Sequence, residues 1–296
     1  MWPSCAGPDD LPTVAPSRYR GHRPSDLRAQ EDQLSPRSAP ITAAPRSRDF
    51  VQSLERGLAI LQSFDAHDEA LSISELAGRS GLGRAAARRF VLTLQMLGYV
   101  SAEKDRYRLT PQVLELGHAY LASDGIADLA LPHVERLVQR VGETSEVSVL
   151  DGPDIVYIAR VTGPSIMTVS INVGARRPAF ATSMGRAMLA TLDETALTAF
   201  LERYPREQIQ PHTITDEAAL RRELDTVRHR GFALVDQELE EGLIAISAPV
   251  RGVDGRPIAA VNISTHIGRR SLAEMESLAP ALREAAAQIE SDLSRS

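Results

Sequence analysis

Apolar positions first recur at helical spacing between Leu71 and Gly98. Ile73, Leu76 and Ala77 give a short helix one apolar face. Ser72 stands three residues before Glu75, the capping-box spacing. Gly81 ends that helix in a tight turn. A second helix is expected from near Gly83 to about Leu97, burying Ala86, Phe90, Leu94 and Leu97. Upstream, Val51, Leu54, Leu58 and Leu61 predict an amphipathic helix that ends near Phe64 and packs beneath this pair. Downstream, Tyr99–Ala102 and Arg106–Leu109 are β-prone, and Glu103, Lys104 and Asp105 form a polar turn between them. A hairpin directly after the second helix makes the arrangement a winged helix-turn-helix.

The pattern then changes. Thr110-Pro111 opens a largely apolar helix through Val113, Leu114, Leu116, Gly117 and Tyr120, ended by Ser123-Asp124-Gly125. A helix is expected over about Leu131 to Val141, then strands at Glu146–Leu150, Ile155–Val161 and Ile166–Asn172. Helices follow near Ser183–Leu192, Glu194–Tyr204 and Asp216–Arg230, and strands at Ile244–Val250 and Ala259–Ser264. A last helix repeats Leu272, Met275, Leu278, Leu282, Ala286, Ile289 and Leu293 on one face. Strands segregated from helices argue for an antiparallel sheet with helices packed on it, so the fold class expected is α+β. The division expected is a disordered tail over 1–46, a winged helix-turn-helix over 47–110, a connector helix over 111–125 and an effector-binding domain over 126–296.

Composition narrows the classes. Residues 1–46 hold eight of the 18 prolines and no apolar period. No run of about 18 apolar residues marks a membrane span, and the first residues lack the pattern of a signal peptide. The one cysteine, Cys5, excludes internal disulfides and fits a cytoplasmic protein. The seven histidines show no paired spacing and there is no CxxC, so no metal site or cofactor is expected. Net charge is −6, but residues 49–110 balance at zero and residues 111–296 carry −8. Acidity therefore belongs to the second half and does not oppose a DNA-binding first half.

Two places carry candidate chemistry. Arg84, Ala85, Arg88 and Arg89 fall on the exposed N-terminal part of the second helix, where small residues and arginines can enter a major groove. An arginine-rich helix face is also commonly just solvated. Lys104, the only lysine, and Arg106 and Arg108 lie on or beside the wing, near where phosphates would run. In the second half, Arg160 shares a strand face with Val156 and Ile158, where an unpaired arginine would be costly. It either meets a ligand carboxylate, pairs with a structural acid or points to solvent. Thr182–Gly185 starts a helix, either as an anion site or as an ordinary N-cap. Asp236, Glu238, Glu240 and Glu241 raise an enzyme as the rival class, but no nucleophile-base pair or metal geometry accompanies them.

SLERGLAIL, ISELA, GLGRAAARRFVLTL, LGYV and YRLTPQVLELG make residues 50–120 resemble the DNA-binding domain of the IclR family of bacterial transcription regulators. GPDIVYIARV, IMTVSINVGARRPAFATSMGRAMLA, VRHRGFALVDQELEEGLIAISAPV and RPIAAVNIS resemble that family's effector-binding domain, closest to its Pca/Pob subgroup of aromatic-acid catabolism regulators. Two positions depart from it. Gly83 stands where a serine cap is common, and Ser165 where the subgroup often has a basic residue. The resemblance implies a GAF/profilin-like second domain, a double-stranded DNA operator, a small aromatic or dicarboxylic acid effector, a homodimer or homotetramer, and no membrane or enzymatic role. The DNA-contacting set is then Ser74, Arg84, Ala85, Arg88, Arg89, Lys104, Arg106 and Arg108. The effector set is Arg160, Ser183, Met184, Gly185, Asp236, Leu243, Ala245, Asn262 and Ser264.

Overall fold

The computed structural model describes residues 49–64, 70–117, 125–164 and 172–295. The chain divides into two units, the second of them the compact Val51–Ser296. The tail expected over 1–46, most of the connector after residue 117 and all but Asn172 of the strand expected at 166–172 lie outside the described residues.

Three helices open the second unit: α1 (Gln52–Leu61), α2 (Ile73–Ser80) and α3 (Arg84–Met96). The capping box forms as the spacing requires. Ser72 N donates to Glu75 Oε2 at 2.7 Å, and Glu75 N donates to Ser72 Oγ at 3.3 Å. Gly81 takes φ 68°, a left-handed value suited to glycine, and turns the chain into α3. The core beneath is Ile60, Leu71, Leu76, Ala77, Ala87, Val91, Leu94 and Val100.

Two burial expectations are corrected. The inward stripe of α3 is Ala87, Val91 and Leu94; Ala86 and Phe90 are at its margin, and Leu97, already past the helix, is exposed. On α1, Ile60 is buried while Val51, Leu54 and Leu58 face outward. The apolar spacing is real in both helices, but period alone does not say which flank of a stripe meets the core. The wing forms as expected: β1 (Val100–Glu103) pairs antiparallel with β2 (Arg106–Leu109), and Lys104 turns between them at φ 56°. Leu71 is bridged to Tyr107 by two backbone hydrogen bonds of 2.7 Å, which ties the wing to the start of α2.

After helical residues 113–117, the described chain resumes with α4 (Ile126–Val141), which starts earlier than the sequence pattern suggested. The strands are β3 (Ser145–Asp151), β4 (Asp154–Val161), β5 (Arg176–Pro178), β6 (Ala233–Asp236), β7 (Leu243–Arg251) and β8 (Pro257–His266). They form one antiparallel sheet in the order β5-β4-β3-β8-β7-β6. Short β5 and β6 are additions to the expected strands. The helices are α5 (Ser183–Leu189), α6 (Glu194–Arg203), α7 (Glu217–Arg230), α8 (Leu272–Ser277) and α9 (Ala279–Leu293). The single terminal helix expected from Leu272 is therefore two, broken at Leu278 just before Pro280, which has no N–H to continue the ladder.

Each face of the sheet has its own core. Val147, Ile244, Ile246, Val250, Val261 and Ile263 point to α4 and α9. Ile155, Tyr157 and Ala260 point to the other side, where α5 and α7 pack. A buried ion pair pins α5 there. Arg186, 1% exposed, donates to both Glu238 carboxylate oxygens at 2.5 Å and through Nε to Phe180 O at 2.8 Å. Glu238 also accepts from Ile214 N at 2.8 Å. Removing one partner strands a buried charge, whereas apolar replacement of both does not. Glu238→Ala is expected to lower unfolding free energy by about 3–5 kcal/mol, and Arg186→Met with Glu238→Leu to cost clearly less; denaturant titration of the three proteins checks the order.

Candidate functional site

The first candidate surface is the N-terminal half of α3 with the wing. Arg84, Ala85, Arg88 and Arg89 are all exposed, as is Ser74 on α2. Among the described residues no ion pair engages Arg84, Arg88 or Arg89. Gly83 caps α3 through its backbone alone, so no side chain screens the first turn. The wing residues Lys104, Arg106 and Arg108 are exposed too, but two are already engaged. Arg106 donates to Ala70 O at 3.1 and 2.5 Å and lies 3.7 Å from Glu75. Arg108 lies 3.6 Å from Glu103 and donates to Ser101 Oγ at 3.4 Å. These exposed pairs are weak and separable. The surface offers a helix end bearing three uncommitted arginines beside a basic hairpin.

The second candidate is the face of the six-stranded sheet that α5 covers. Directly opposed residues of antiparallel strands project to the same side. Register therefore lays Arg160, Glu146, Asn262 and Ser247 in one row across β4, β3, β8 and β7. Ala245 and Ser264 oppose each other one step along, and Leu243 shares their face. α5 sits over the row: Ser247 Oγ donates to Ser183 Oγ at 2.7 Å, and Ser148 Oγ lies 3.1 Å from Met184 Sδ. Gly185 is required because a Cβ there would stand 2.1 Å from Ala179 O. Thus Arg160, Ser183, Met184, Leu243, Ala245, Asn262 and Ser264 come together on one side of the sheet. Asp236 does not join them. It opposes Ile244, whose side chain belongs to the α4–α9 core, so alternation directs Asp236 to the other face.

The start of α5 behaves as an ordinary cap. Thr182 Oγ1 accepts from Gly185 N at 3.1 Å, and Ser183 spends its hydroxyl on Ser247. Its helix is only seven residues long, so the dipole and free N–H groups expected at Ser183–Gly185 count for little. Two residues that sequence reasoning passed over matter more. Glu146 is 1% exposed. Asn262 Oδ1 accepts from Glu146 N at 2.6 Å, Ser264 Oγ donates to Glu146 Oε2 at 3.2 Å, and Arg160 Nε is 3.8 Å from Glu146 Oε1. Burial pushes the Glu146 carboxyl above the ordinary carboxylate range, although Asn262, Arg160 and Ser264 all favour ionisation. Tyr157 is a buried phenol on the same side, pushed upward by burial and by Glu146. The argument that singled out Arg160, a charge inside an apolar strand, applies equally to Glu146 in SEVSVL. The acids of residues 236–241 disperse: Glu238 is consumed by Arg186, and Asp236 receives Gln237 Nε2 at 3.1 Å.

Comparison with known proteins agrees with this architecture. Residues 53–104 match the IclR helix-turn-helix domain, and residues 118–291 match the bacterial transcriptional regulator IclR C-terminal domain. This chain belongs to the IclR family. It is 40% identical over 246 residues to the Pca regulon regulatory protein of Pseudomonas putida, spanning 80% of this chain and 84% of that protein. It is 34% identical to the p-hydroxybenzoate hydroxylase transcriptional activator of Acinetobacter baylyi, spanning 76% and 84%. An IclR homolog from Microbacterium hydrocarbonoxydans, solved in complex with 4-hydroxybenzoate, superimposes with a TM-score of 0.71 at 27% identity over 82% of this chain and all of that one. The family member described here is a DNA-binding transcriptional regulator, similar in sequence to the Pca and Pob regulators. Among the described residues no helix is long and apolar enough to cross a membrane.

Glu146 gives a pH test. Its raised value means that the folded chain holds this proton more tightly than the unfolded chain, whose carboxyl titrates near 4.5. The cost of ionising it is absent below that range and complete above the folded value. Glutamine mimics the protonated carboxyl. Glu146→Gln is therefore expected to gain stability relative to the parent as pH rises from about 4 to about 8, read by denaturant melts at both ends; a constant difference across that range would contradict the assignment.

Proposed function

We propose that this regulator controls aromatic-acid catabolic genes and answers to a small aromatic or dicarboxylic acid held on the α5 side of the sheet. The observation that carries the reading is the row Arg160–Glu146–Asn262, a cation and hydrogen-bonding groups side by side on a face that also carries Tyr157, Ala260 and Ile155. The ligand named for the Microbacterium homolog supports the aromatic class, and the names of the Pseudomonas and Acinetobacter relatives support the pathway. Arg160 is the partner proposed for the effector carboxylate. Asn262, Ser264, Ala245 and Leu243 line the same space, and Met184 and Gly185 close it from α5. Asp236 is left out, and Ser183 acts through Ser247. No catalytic role is proposed for the acids of residues 236–241.

Residues 47–110 are proposed to read an operator with Arg84, Ala85, Arg88 and Arg89 in the major groove, Ser74 on the flanking helix, and Lys104, Arg106 and Arg108 along phosphates. Residues 126–296 are proposed to bind the effector, with the connector between. The protein is proposed to work in the cytoplasm as a homodimer or homotetramer, because one such module holds too little DNA for tight specific binding. The outward apolar residues Leu54 and Leu58 of α1 and Leu114 and Leu116 of the connector suit a contact between copies. An effector shifts operator occupancy only by preferring one arrangement of the protein, with a coupling of about 1–3 kcal/mol.

Gel-shift titration of the operator checks both halves, with light scattering on the same samples. Arg88→Ala is expected to weaken binding by about 1–3 kcal/mol. The parent is expected to change operator affinity when an aromatic acid is added, and Arg160→Ala to lose that response while keeping its effector-free affinity. Unchanged affinity in Arg88→Ala would remove that residue from the interface. An undiminished acid response in Arg160→Ala would remove Arg160 from the effector site. A monomer at micromolar concentration with and without DNA would defeat the oligomer.

A further inference from the structure

Three glutamates are buried among the described residues: Glu143, Glu146 and Glu238. Two of them are fully engaged. Glu238 receives both Arg186 terminal amines at 2.5 Å and Ile214 N at 2.8 Å. Glu143 receives Arg270 Nε and Thr265 Oγ1, each at 2.8 Å, with Arg269 at 3.4 Å. Glu146 is different. Its side chain has Ser264 Oγ at 3.2 Å and the Asn262 side chain beside it, and Arg160 Nε stands off at 3.8 Å, beyond direct hydrogen-bond length. A carboxylate offers about four acceptor positions. Glu146 thus combines the deepest burial with the longest side-chain contacts of the three, and so loosely held a buried acid calls for an explanation.

We propose that Glu146 determines effector specificity by accepting a hydrogen bond from a hydroxyl on the bound acid, so that the site takes a hydroxylated monocarboxylate in preference to an unsubstituted one or a dicarboxylate. This rests on the reading of the α5 side of the sheet as the effector site. Position supports it. Ser247 and Ser148 are closed beneath α5 against Ser183 and Met184, whereas Arg160, Ser264, Ala245 and Leu243 keep partial exposure. A ligand arriving from that half-open end meets Arg160 and Glu146 together. Charge supports it as well. Glu146 and Glu240 act on the buried Tyr157 phenol, as do Arg177 and Arg160. One carboxylate finds a cation there. A second carboxylate would be placed against a buried acid, a costly like-charge contact, whereas a neutral hydroxyl finds an acceptor and forms a charge-assisted bond. A site built to hydrogen-bond a hydroxyl discriminates strongly against the analogue that lacks it.

Calorimetry on the full chain tests this with three probes: 4-hydroxybenzoate, 4-fluorobenzoate and adipate. Fluorine nearly matches the hydroxyl in size but cannot donate. The parent is expected to bind 4-hydroxybenzoate at least about tenfold tighter than 4-fluorobenzoate, and adipate more weakly than either. In Glu146→Gln the first ratio is expected to fall below about threefold through loss of the charged acceptor, with 4-fluorobenzoate binding unchanged or improved. If the parent binds the ring acids without preferring the hydroxyl, or if Glu146→Gln keeps the full preference, the role of Glu146 is overturned while the site stands. If the parent binds none of the three, the acid-site reading falls and this proposal with it. A parent without the hydroxyl preference overturns the proposal even if the variant does not fold.

Discussion

A sheet covered on both faces leaves little room for polar side chains, and each one it admits needs an answer from a neighbour. That constraint organises the second half of this protein. The α4–α9 side is filled mainly by Val, Ile, Leu and Ala, and its few buried polar groups, Thr265 and His133, are answered by Glu143 and by Gln288 and Asp292. The other side admits Arg160, Glu146, Asn262 and Ser247 because they lie at one register level, the first three answering one another across the strands and Ser247 answered by Ser183 of α5. α5 can cover that row only because Gly185 lets it approach the Ala179 backbone and because Arg186 and Glu238 neutralise each other beneath it. Moving any strand by one residue would flip the row into the apolar core.

The same row lies close in sequence to the end of α4. Glu143, directly after the helix cap Gly142, is clamped by Arg270 and Thr265, and Arg270 also donates to Val141 O. Ser145 donates to Asn262 O at 2.5 Å, and Gly163 N donates to Thr144 Oγ1 at 3.1 Å. Gly163 admits no Cβ against the Glu143–Thr144 backbone. The segment from Gly142 to Glu146 therefore connects the Arg160–Glu146–Asn262 row to a helix end through short, buried contacts. Such a packed segment transmits a preference between discrete arrangements better than a graded deformation.

Much of this was legible in the residues. Ser72 and Glu75 marked a capping box, Gly81 a left-handed turn, and Glu103–Asp105 a hairpin, because these are local chemistries with short-range causes. The α+β class followed from segregated strands. What failed was non-local. The spacing of Val51, Leu54 and Leu58 revealed an apolar stripe but not that the fold leaves it outward. Ala86, Phe90 and Leu97 lie beside the true α3 stripe, since residues one position apart share a similar period. β5 and β6 are edge strands of three and four residues, too short for alternation to register. In the site, Arg160 stood out as a charge in an apolar strand, whereas Glu146 was read as an ordinary strand residue, and only pairing could set the two side by side. Asp236 came from family likeness, and alternation turns it away.

The most direct test is a crystal structure of the protein with 4-hydroxybenzoate bound. The account predicts ring density on the α5 side of the sheet, with the carboxylate at Arg160 and the hydroxyl within hydrogen-bond distance of a Glu146 carboxylate oxygen. Density in the cleft between α4 and α9 lined by His133, Arg136 and Gln288, or on the α5 side with the hydroxyl turned away from Glu146, would contradict it.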